Sequence, residues 1–468
     1  MPYAYLTFAQ MRQALAARLD DTGNVYWLDA ENGLYCKEAL RIWQSYTRYW
    51  LDSFPFNTAA LSSPVDAFYD LTQQSGTLIP FTLMDTDLES ELCYNLIEAQ
   101  PAAGVWQGTD QFTIYDLTNA LQRRRDQFLV ETGMVLSRTL MTGIIPPVGG
   151  RIPLPDNVID VRRAAWLDTQ SSLWNVMWKS DEFTRQALQY SWFTSPGIPS
   201  EWSVVATPPV TLQLMSPPLN PGTMELLTVN AGAPLNPAVG VLLGIPDDFA
   251  WVIRFGALAD LLSQDGQARD PSRAQYCEQR WQEGILAARA YTSVEIAFLD
   301  GAPVPVSPLF SLDTMQPTWQ NYSGPPASFA LAGWNLLALS PIPDNNGPYS
   351  VAIDLVRNAP VPSADGDFIQ LGREELDAVL DEAEHLAAFK MGGAEFQATM
   401  KGHANFRRMA LIRNQRLAAV LRSGAQPMFD KGWREERQRV RRDQEIPVGV
   451  SLDDPAQIAL EGQAQGGQ

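Results

Sequence analysis

The residue types that could carry out catalysis are few, and their spacing fits no catalytic motif. The chain contains only two histidines, His385 and His403, which are separated by a predicted turn. No Ser or Cys lies in a nucleophile elbow, and no HExxH, P-loop or glycine fingerprint after a strand is present. Both histidines are therefore expected to be helix-surface or packing residues. The sequence predicts a protein that is not an enzyme, with no catalytic residues, no metal ligands and no cofactor.

Two further patterns resemble functional motifs but have structural explanations. The KMGG sequence at 390–393 has the glycines of a phosphate loop, but it follows a predicted helix, so its amides would not point at an anion. The glycines instead predict a helix C-cap and a hairpin turn. The acid pairs at 247–248 and 374–375 lie in first helical turns, where negative charge compensates the helix dipole.

The cysteines and the hydropathy pattern limit the environment of the protein. Cys36, Cys93 and Cys277 are odd in number and far apart, which excludes a disulfide framework or a zinc site with paired ligand spacing. The N-terminal sequence MPYAYLTFAQ lacks the charged and apolar regions of a signal peptide. The longest apolar run, 239–245, is too short to span a bilayer. We therefore expect a soluble protein that is made in a reducing cytoplasm and has no membrane partner.

Charge is distributed unevenly along the 468 residues, which carry a net charge of −19. Residues 401–445 contain 12 Lys or Arg against 5 Asp or Glu, whereas residues 1–400 contain 22 bases against 45 acids, a net of −23. The body is therefore expected to repel DNA, and the basic C-terminal segment to attract acidic partners. A hydrophobic content of 46% indicates a folded chain, and its length predicts two to four domains.

A helical hairpin over residues 245–291 is the clearest element. Apolar residues recur there at helical spacing, the Asp265-Gly266 pair breaks the pattern, and Asp270-Pro271 restarts a second helix as N-cap and first-turn proline. Proline- and tryptophan-rich strands precede it, and the arrangement recurs downstream at an offset of 127. The matching residues are Trp192, Gly197, Pro199, Trp202 and Gly266 with Trp319, Gly324, Pro326, Phe329 and Gly393. The sequence predicts a duplicated strand-then-hairpin unit.

These patterns predict an α+β fold of helical bundle elements and antiparallel β domains. The expected regions are a mainly helical region at 1–145, two β plus helical-hairpin units at 146–293 and 294–425, and a basic anchoring segment with a disordered tail at 426–468.

The order of these elements carries a resemblance to a known family. A helical N-terminus is followed by IPLPDNVIDVRRAAW, then W-x4-G-x-P-x2-W, a strand ending in SPPL, and the hairpin ALADLLSQDGQARDPSRAQYCEQRWQEG; AFKMGGAEFQAT comes later. Together they resemble the head-to-tail connector (neck adaptor) proteins of tailed bacteriophages. The resemblance implies a structural virion protein that is located in the neck of the virion and, during assembly, in the host cytoplasm. Its implied partners are further copies of itself in a ring of usually twelve, the portal protein and a tail or nozzle protein. Packaged DNA would pass through the ring without specific binding.

Two alternatives remain open at this stage. The chain could be a tail-side structural component, such as a baseplate hub or a fibre-attachment collar. A nucleic-acid-binding module would predict salt-sensitive DNA binding, against which the charge of the body argues.

Two groups of residues are candidate interaction sites. The resemblance implies portal docking through a basic C-terminal segment, in which arginine can form bidentate ion pairs and tryptophan can be a buried anchor: Trp433, Arg434, Arg437, Arg439, Arg441 and Arg442. A solvated charged helix end and direct DNA binding are the alternatives for these residues. Candidates for contacts between subunits are Arg123, Arg124 and Arg125, interpreted as a solvated or inter-subunit face, and Trp174, Trp178 and Trp192, for which core packing is the alternative.

Overall fold

Most of the first 419 residues have a described conformation. The computed structural model describes residues 6–57, 67–72, 81–97, 111–144, 151–188, 195–205, 210–236, 238–291, 294–344, 349–415 and 417–419. Met1–Leu421 is one unit and Arg422–Gln468 is a second. The second unit lies outside the described residues.

Several of the helices begin with a side chain that caps their first turn. The helices are α1 (Phe8–Arg18), α2 (Asp29–Thr47), α3 (Asp85–Leu96), α4 (Ile114–Thr132), α5 (Glu182–Leu188), α6 (Ala250–Ser263), α7 (Pro271–Ala290), α8 (Leu309–Met315), α9 (Arg373–Ala388) and α10 (Gly393–Arg413). Thr7 caps α1 in a reciprocal capping box with Gln10. The side chain of Asp270 accepts a hydrogen bond from the Arg273 amide, and Pro271 occupies the first turn of α7, as expected.

The strands form three sheets that are mostly antiparallel. They are β1 (Leu51–Asn57), β2 (Phe68–Asp70), β3 (Ser137–Ile144), β4 (Arg151–Pro153), β5 (Val158–Asp168), β6 (Leu173–Lys179), β7 (Glu201–Val205), β8 (Thr211–Met215), β9 (Gly222–Asn230), β10 (Val294–Leu299), β11 (Ala302–Val304), β12 (Val306–Pro308), β13 (Ser328–Ala332), β14 (Leu336–Ser340) and β15 (Ser350–Val356). The sheet orders are β3-β9-β5-β6-β7-β8-β4, β1-β15-β10-β11 and β12-β13-β14-β2. The predicted α+β class is confirmed.

Strands from the first 72 residues pair with strands near the other end of the described chain. β1 pairs with β15 along its whole length, and β2 pairs with β14. The division of the chain into four regions and the duplication of the strand-then-hairpin unit stay predictions at this point.

Two main apolar cores stabilise the described residues. The larger core combines the helices with the inner faces of the two four-stranded sheets, and Trp43, Trp251 and Trp281 lie fully buried within it. The smaller core lies on the inner face of the seven-stranded sheet, around Trp166 and Trp202. Burying such large aromatic side chains is a major stabilising contribution in a fold of this kind.

The hairpin of α6 and α7 is packed closely because two glycines allow it. A Cβ atom at Gly284 would lie 2.4 Å from a methyl group of Val252, and one at Gly256 would lie 2.6 Å from the Trp281 ring. Neither distance is possible for real atoms without movement of the neighbour, so glycine sets the helix separation.

The turn at 390–393 differs from its prediction in one respect. Gly392 and Gly393 both have positive φ, at 64° and 57°, so the predicted turn is confirmed. However, α9 already ends at Ala388 with Phe389 as its C-cap, and Gly392 is the N-cap of α10. The glycines therefore reverse the chain and start the second helix instead of capping the first.

Candidate interaction surfaces

The predicted portal-docking residues lie outside the part of the chain that the structure describes. This applies to Trp433, Arg434, Arg437, Arg439, Arg441 and Arg442. Their role stays a prediction from the sequence and the resemblance.

The arginine run on α4 is held largely inside the chain. Arg124 forms a bidentate ion pair with Asp260 of α6, at 2.9 Å and 2.6 Å, and stacks over the Trp281 ring. Arg125 is fully buried and donates to the carbonyl of Ala233 at 2.7 Å. The interpretation of these two residues as a solvated or inter-subunit face is therefore corrected. Arg123 is the exposed member of the run, and it also pairs with Asp260.

The three candidate tryptophans have different environments. Trp174 is buried in a small cluster with Ala165 and Val176, which is the core-packing alternative. Trp178, at the end of β6, is 40% exposed and remains a candidate for a contact between subunits. Trp192 lies outside the described residues.

Both histidines are buried in a polar cluster between the two helical hairpins. The rings of His385 and His403 are stacked with centroids 4.7 Å apart. Glu382 accepts a 2.8 Å hydrogen bond from Arg280 and lies 2.6 Å from His403 Nδ1. The Tyr276 hydroxyl is 2.7 Å from His385 Nε2. The histidines are therefore packing residues and do not lie on the helix surface. The cluster joins α7 to α9 and α10.

Burial and charge set the protonation of this cluster. Burial lowers the pKa of His385 to about 3, and the nearby charges of His403 and Arg280 act in the same direction. Burial alone would raise the pKa of Glu382, but His403 and Arg280 hold it well below its ordinary value. The arrangement is thus a neutral imidazole beside a buried ion pair, which serves to fix the hairpins against each other.

Further buried ion pairs connect distant parts of the chain. Arg254 of α6 pairs with Glu38 of α2, and Lys390 contacts both carboxylate oxygens of Glu31 at 2.9 Å. Sequence reasoning missed these residues because charged side chains at helical spacing usually indicate a solvated face. A charged residue within an otherwise apolar helix, such as Arg254 in α6, was the available signal.

A second polar cluster fixes α8 onto the outer face of the seven-stranded sheet. Arg163 of β5 donates to Asp313 of α8 and to Glu225 of β9, each at 2.8 Å. Gln320, in the 3-10 turn that follows α8, bridges Arg163 and Glu225 at 2.8 Å and 3.0 Å. The indole N–H of Trp319 donates to Asp313 at 2.8 Å. All five side chains are buried, so this contact is part of the folded core.

The helix α5 has the same length as α8 but a very different environment. Phe183 is 79% exposed, and Thr184, Gln186 and Ala187 are also exposed. In α8, by contrast, Leu309, Leu312 and Asp313 are buried, and Phe310 is 41% exposed. The short helix α5 therefore presents an aromatic side chain to solvent, which makes it a candidate contact surface.

Within the described residues, no group of three or more His, Cys, Asp or Glu side chains could hold a metal ion. Across the same residues, no helix combines the length and the apolar character that crossing a membrane requires. The three cysteines are buried, and burial raises the pKa of the Cys36 thiol to about 12.

No protein-family model matches the chain, and no curated protein matches it.

Proposed function

We propose that the protein is a structural component of a phage virion, a head-to-tail adaptor that forms a ring between the portal and the tail and extends the DNA channel. In this role it acts by contact and shape instead of by catalysis. Its partners are further copies of itself, the portal protein and a tail or nozzle protein, while packaged DNA passes through without specific binding.

The observation that carries the proposal is the order of the motifs that resemble neck adaptors. The IPLPDNVIDVRRAAW segment spans β4 and β5, Trp202 lies on β7, SPPL follows β8, and the hairpin is α6 with α7. These motifs follow one another along the chain, and AFKMGGAEFQAT comes later, at the turn between α9 and α10. This order supports the resemblance, because each motif coincides with a defined strand, turn or helix.

The charge of the body also supports a channel role. Residues 1–400 carry a net charge of −23. Tight binding of DNA depends on neutralising its phosphates with Lys and Arg. Several arginines of the body are already engaged in buried pairs with carboxylates, including Arg124, Arg163, Arg254 and Arg280. A wall of this composition lets DNA slide without adhering to it.

The buried ion pairs between the helical hairpins suit a component that must hold its shape. Breaking such a pair by removing one partner is strongly destabilising, so the pairs fix one relative placement of the elements. A connector that transmits load between head and tail requires such rigidity.

A head-binding assay tests the proposal and the role of the basic segment. Full-length chain and a version ending at Gly424 are mixed with DNA-filled heads that carry a portal, and bound protein is measured by co-sedimentation. We expect the full-length chain to bind and the shortened version to bind at least tenfold less. A matched control, Arg269→Ala, removes an exposed charge from the body and should bind as the full-length chain does. Failure of the full-length chain to bind heads, with binding to isolated tails, would overturn the adaptor assignment in favour of a tail-side component.

A further inference from the structure

The three sheets contain the same strand arrangement twice. In the seven-stranded sheet the order is β3-β9-β5-β6-β7-β8-β4, with β6 and β7 parallel. The other two sheets have the orders β1-β15-β10-β11 and β12-β13-β14-β2, with β12 and β13 parallel, and we place these two orders end to end for the comparison. The two orders match strand for strand if β11 and β12 together correspond to β6. Only Pro305 separates β11 from β12, and proline removes a ladder hydrogen bond.

The positions of the elements along the chain agree with this match. Adding 127 to the bounds of α5 gives those of α8, and adding 127 to the bounds of β7 gives those of β13. A register shift also recurs at equivalent positions. The ladder of β5 with β9 shifts register between Val161 and Arg163, and the ladder of β10 with β15 shifts register between Val294 and Ile296. The residue before α1 and the residue before α3 form the same isolated bridge, Thr7 with Phe368 and Met84 with Leu242.

The two copies are nested along the chain. The inner module, residues 81–291, contains α3, α4, β3 to β9, α5, α6 and α7. The outer module, residues 6–72 and 294–419, contains α1, α2, β1, β2, β10 to β15, α8, α9 and α10. The inner module is therefore inserted between β2 and β10 of the outer module. The duplicated unit is larger than the sequence predicts. It also includes two preceding helices in each module, together with β3 in the inner module and with β1 and β2 in the outer module.

The two modules meet through the histidine cluster and through the contact of α8 with the sheet of the inner module, and this second contact occurs in one direction only. Asp313 of α8 pairs with Arg163 on the outer sheet face of the inner module. In a symmetric contact, α5 of the inner module would cover the equivalent sheet face of the outer module. Instead, Phe183 of α5 is exposed. The modules therefore meet head to tail. Among the residues that the structure describes, α5 and the equivalent sheet face of the outer module do not make this contact, and we call them the unused helix and the unused sheet face.

The unused sheet face can be located by the register of the strands. In the inner module the covered face includes Glu225, Leu227 and Ala165, all buried. The ladder positions that correspond to them are Ala352, Asp354 and Phe298 in the outer module, which are half-buried, and the neighbouring strand β1 exposes Ser53 and Pro55.

We infer that this chain binds a second copy of itself head to tail, with α5 of one chain seated on the β1, β15 and β10 face of the next. The occupant follows from the molecule itself, because the equivalent helix already occupies the equivalent face inside each chain. The residue types at the contact between chains differ from those at the contact inside the chain. At the positions of Asp313 and Arg163, α5 and β10 carry Gln186 and Ile296. The contact between chains therefore lacks the buried ion pair of the internal contact. Phe183 corresponds to Phe310, which is 41% exposed, so we expect Phe183 to become partly covered at the edge of the interface.

A head-to-tail contact that closes on itself produces a ring. Each chain contributes two modules to such a ring, so the number of module-sized lobes is twice the number of chains. This deepens the adaptor proposal, but its geometry does not depend on the portal or the tail.

Cross-linking between two differently tagged chains tests the contact. Chains carrying Gln186→Cys are mixed with chains carrying Ala352→Cys, both free at high concentration and bound to heads, and treated with a short bismaleimide. The native cysteines are buried and should not react. We expect a cross-linked product that contains both tags, at a yield at least fivefold above that of a control mixture of Gln186→Cys with Asp265→Cys. Asp265 is 92% exposed in the turn between α6 and α7.

A second variant tests the partial covering of Phe183. Adding Phe183→Asp to the Gln186→Cys chain should reduce the yield at least fivefold, whereas Tyr115→Asp, which changes an equally exposed aromatic residue on α4, should leave it unchanged. Yields equal to the control in both settings would overturn the inference. Cross-linking without binding to heads would support the contact and contradict the adaptor role. Binding to heads without cross-linking would support the adaptor role and contradict the contact.

Discussion

The guanidinium of Arg163 on β5 and the carboxylate of Asp313 on α8 form a buried bidentate ion pair, with N–O distances of 2.8 Å and 3.1 Å. The two residues are 150 positions apart. Glu225 accepts from Arg163 on the other side and also pairs with Arg138 at 2.7 Å, so two cations and two carboxylates balance. This cluster joins the outer module to the sheet of the inner module.

Removing one member of this cluster should destabilise the whole unit. In Asp313→Ala the Arg163 guanidinium stays buried without its bidentate acceptor, and we expect the free energy of unfolding to fall by about 3–5 kcal/mol. Urea denaturation followed by tryptophan fluorescence measures this loss. The control Asp265→Ala removes a carboxylate that is exposed to solvent and should change stability by less than about 0.5 kcal/mol. Equal effects of the two substitutions would contradict the structural role of Asp313.

The close approach of α6 and α7 predicts that a single methyl group is not tolerated there. In Gly284→Ala the new Cβ would lie 2.4 Å from Val252, so the helices must separate, at a cost of about 1–3 kcal/mol. Thermal unfolding should show a lower Tm. Gly324→Ala is the matched control, because no atom lies within 4 Å of its added Cβ. A Tm for Gly284→Ala at or above that of the control would show that the hairpin is packed more loosely than described.

The buried His385 predicts a loss of stability in acid. Burial lowers its pKa to about 3, whereas a histidine in an unfolded chain takes up a proton below about pH 6.5. The unfolded state therefore binds more protons between these values, and stability decreases as the pH falls from about 6.5 towards 3. The lowered pKa of Glu382 adds to this loss below about pH 4.5, where the carboxylate of an unfolded chain becomes protonated.

Unfolding measured at pH 7, 6 and 5 tests the histidine contribution. The free energy of unfolding should fall by up to about 1.4 kcal/mol per pH unit more in the natural chain than in His385→Asn. Asn can retain a hydrogen bond to Tyr276 or Thr399, whose side-chain oxygens contact His385. Identical pH slopes for the two proteins would show that His385 is protonated in the folded state.

Local elements could be predicted from the sequence because their signals are local. The Thr7 cap, the Asp270-Pro271 start of α7 and the glycine turn before α10 each depend on a few neighbouring residues. The pairing of β1 with β15 could not be predicted, since about three hundred residues separate the strands and neither contains a signal for the other.

The candidate surfaces were less predictable for a related reason. Arg124 and Arg125 lie in a polar run that is typical of an exposed helix face. Both are nevertheless buried, and they contact Asp260 and the carbonyl of Ala233, which are distant in the chain. Phe183 lies in a short helix with no periodic apolar stripe, so only its exposure in the structure identifies it. The spacing of 127 was visible in the sequence, but the nested arrangement that we infer was hidden, because the early strands of the outer module are separated from the rest by the whole inner module.

The most direct test of the central claim is electron microscopy of DNA-filled, portal-bearing heads incubated with the full-length chain. We predict a ring at the portal vertex, coaxial with the DNA channel, in which each chain contributes two lobes of similar size. Bare portal vertices, together with density for the chain on isolated tails, would contradict it.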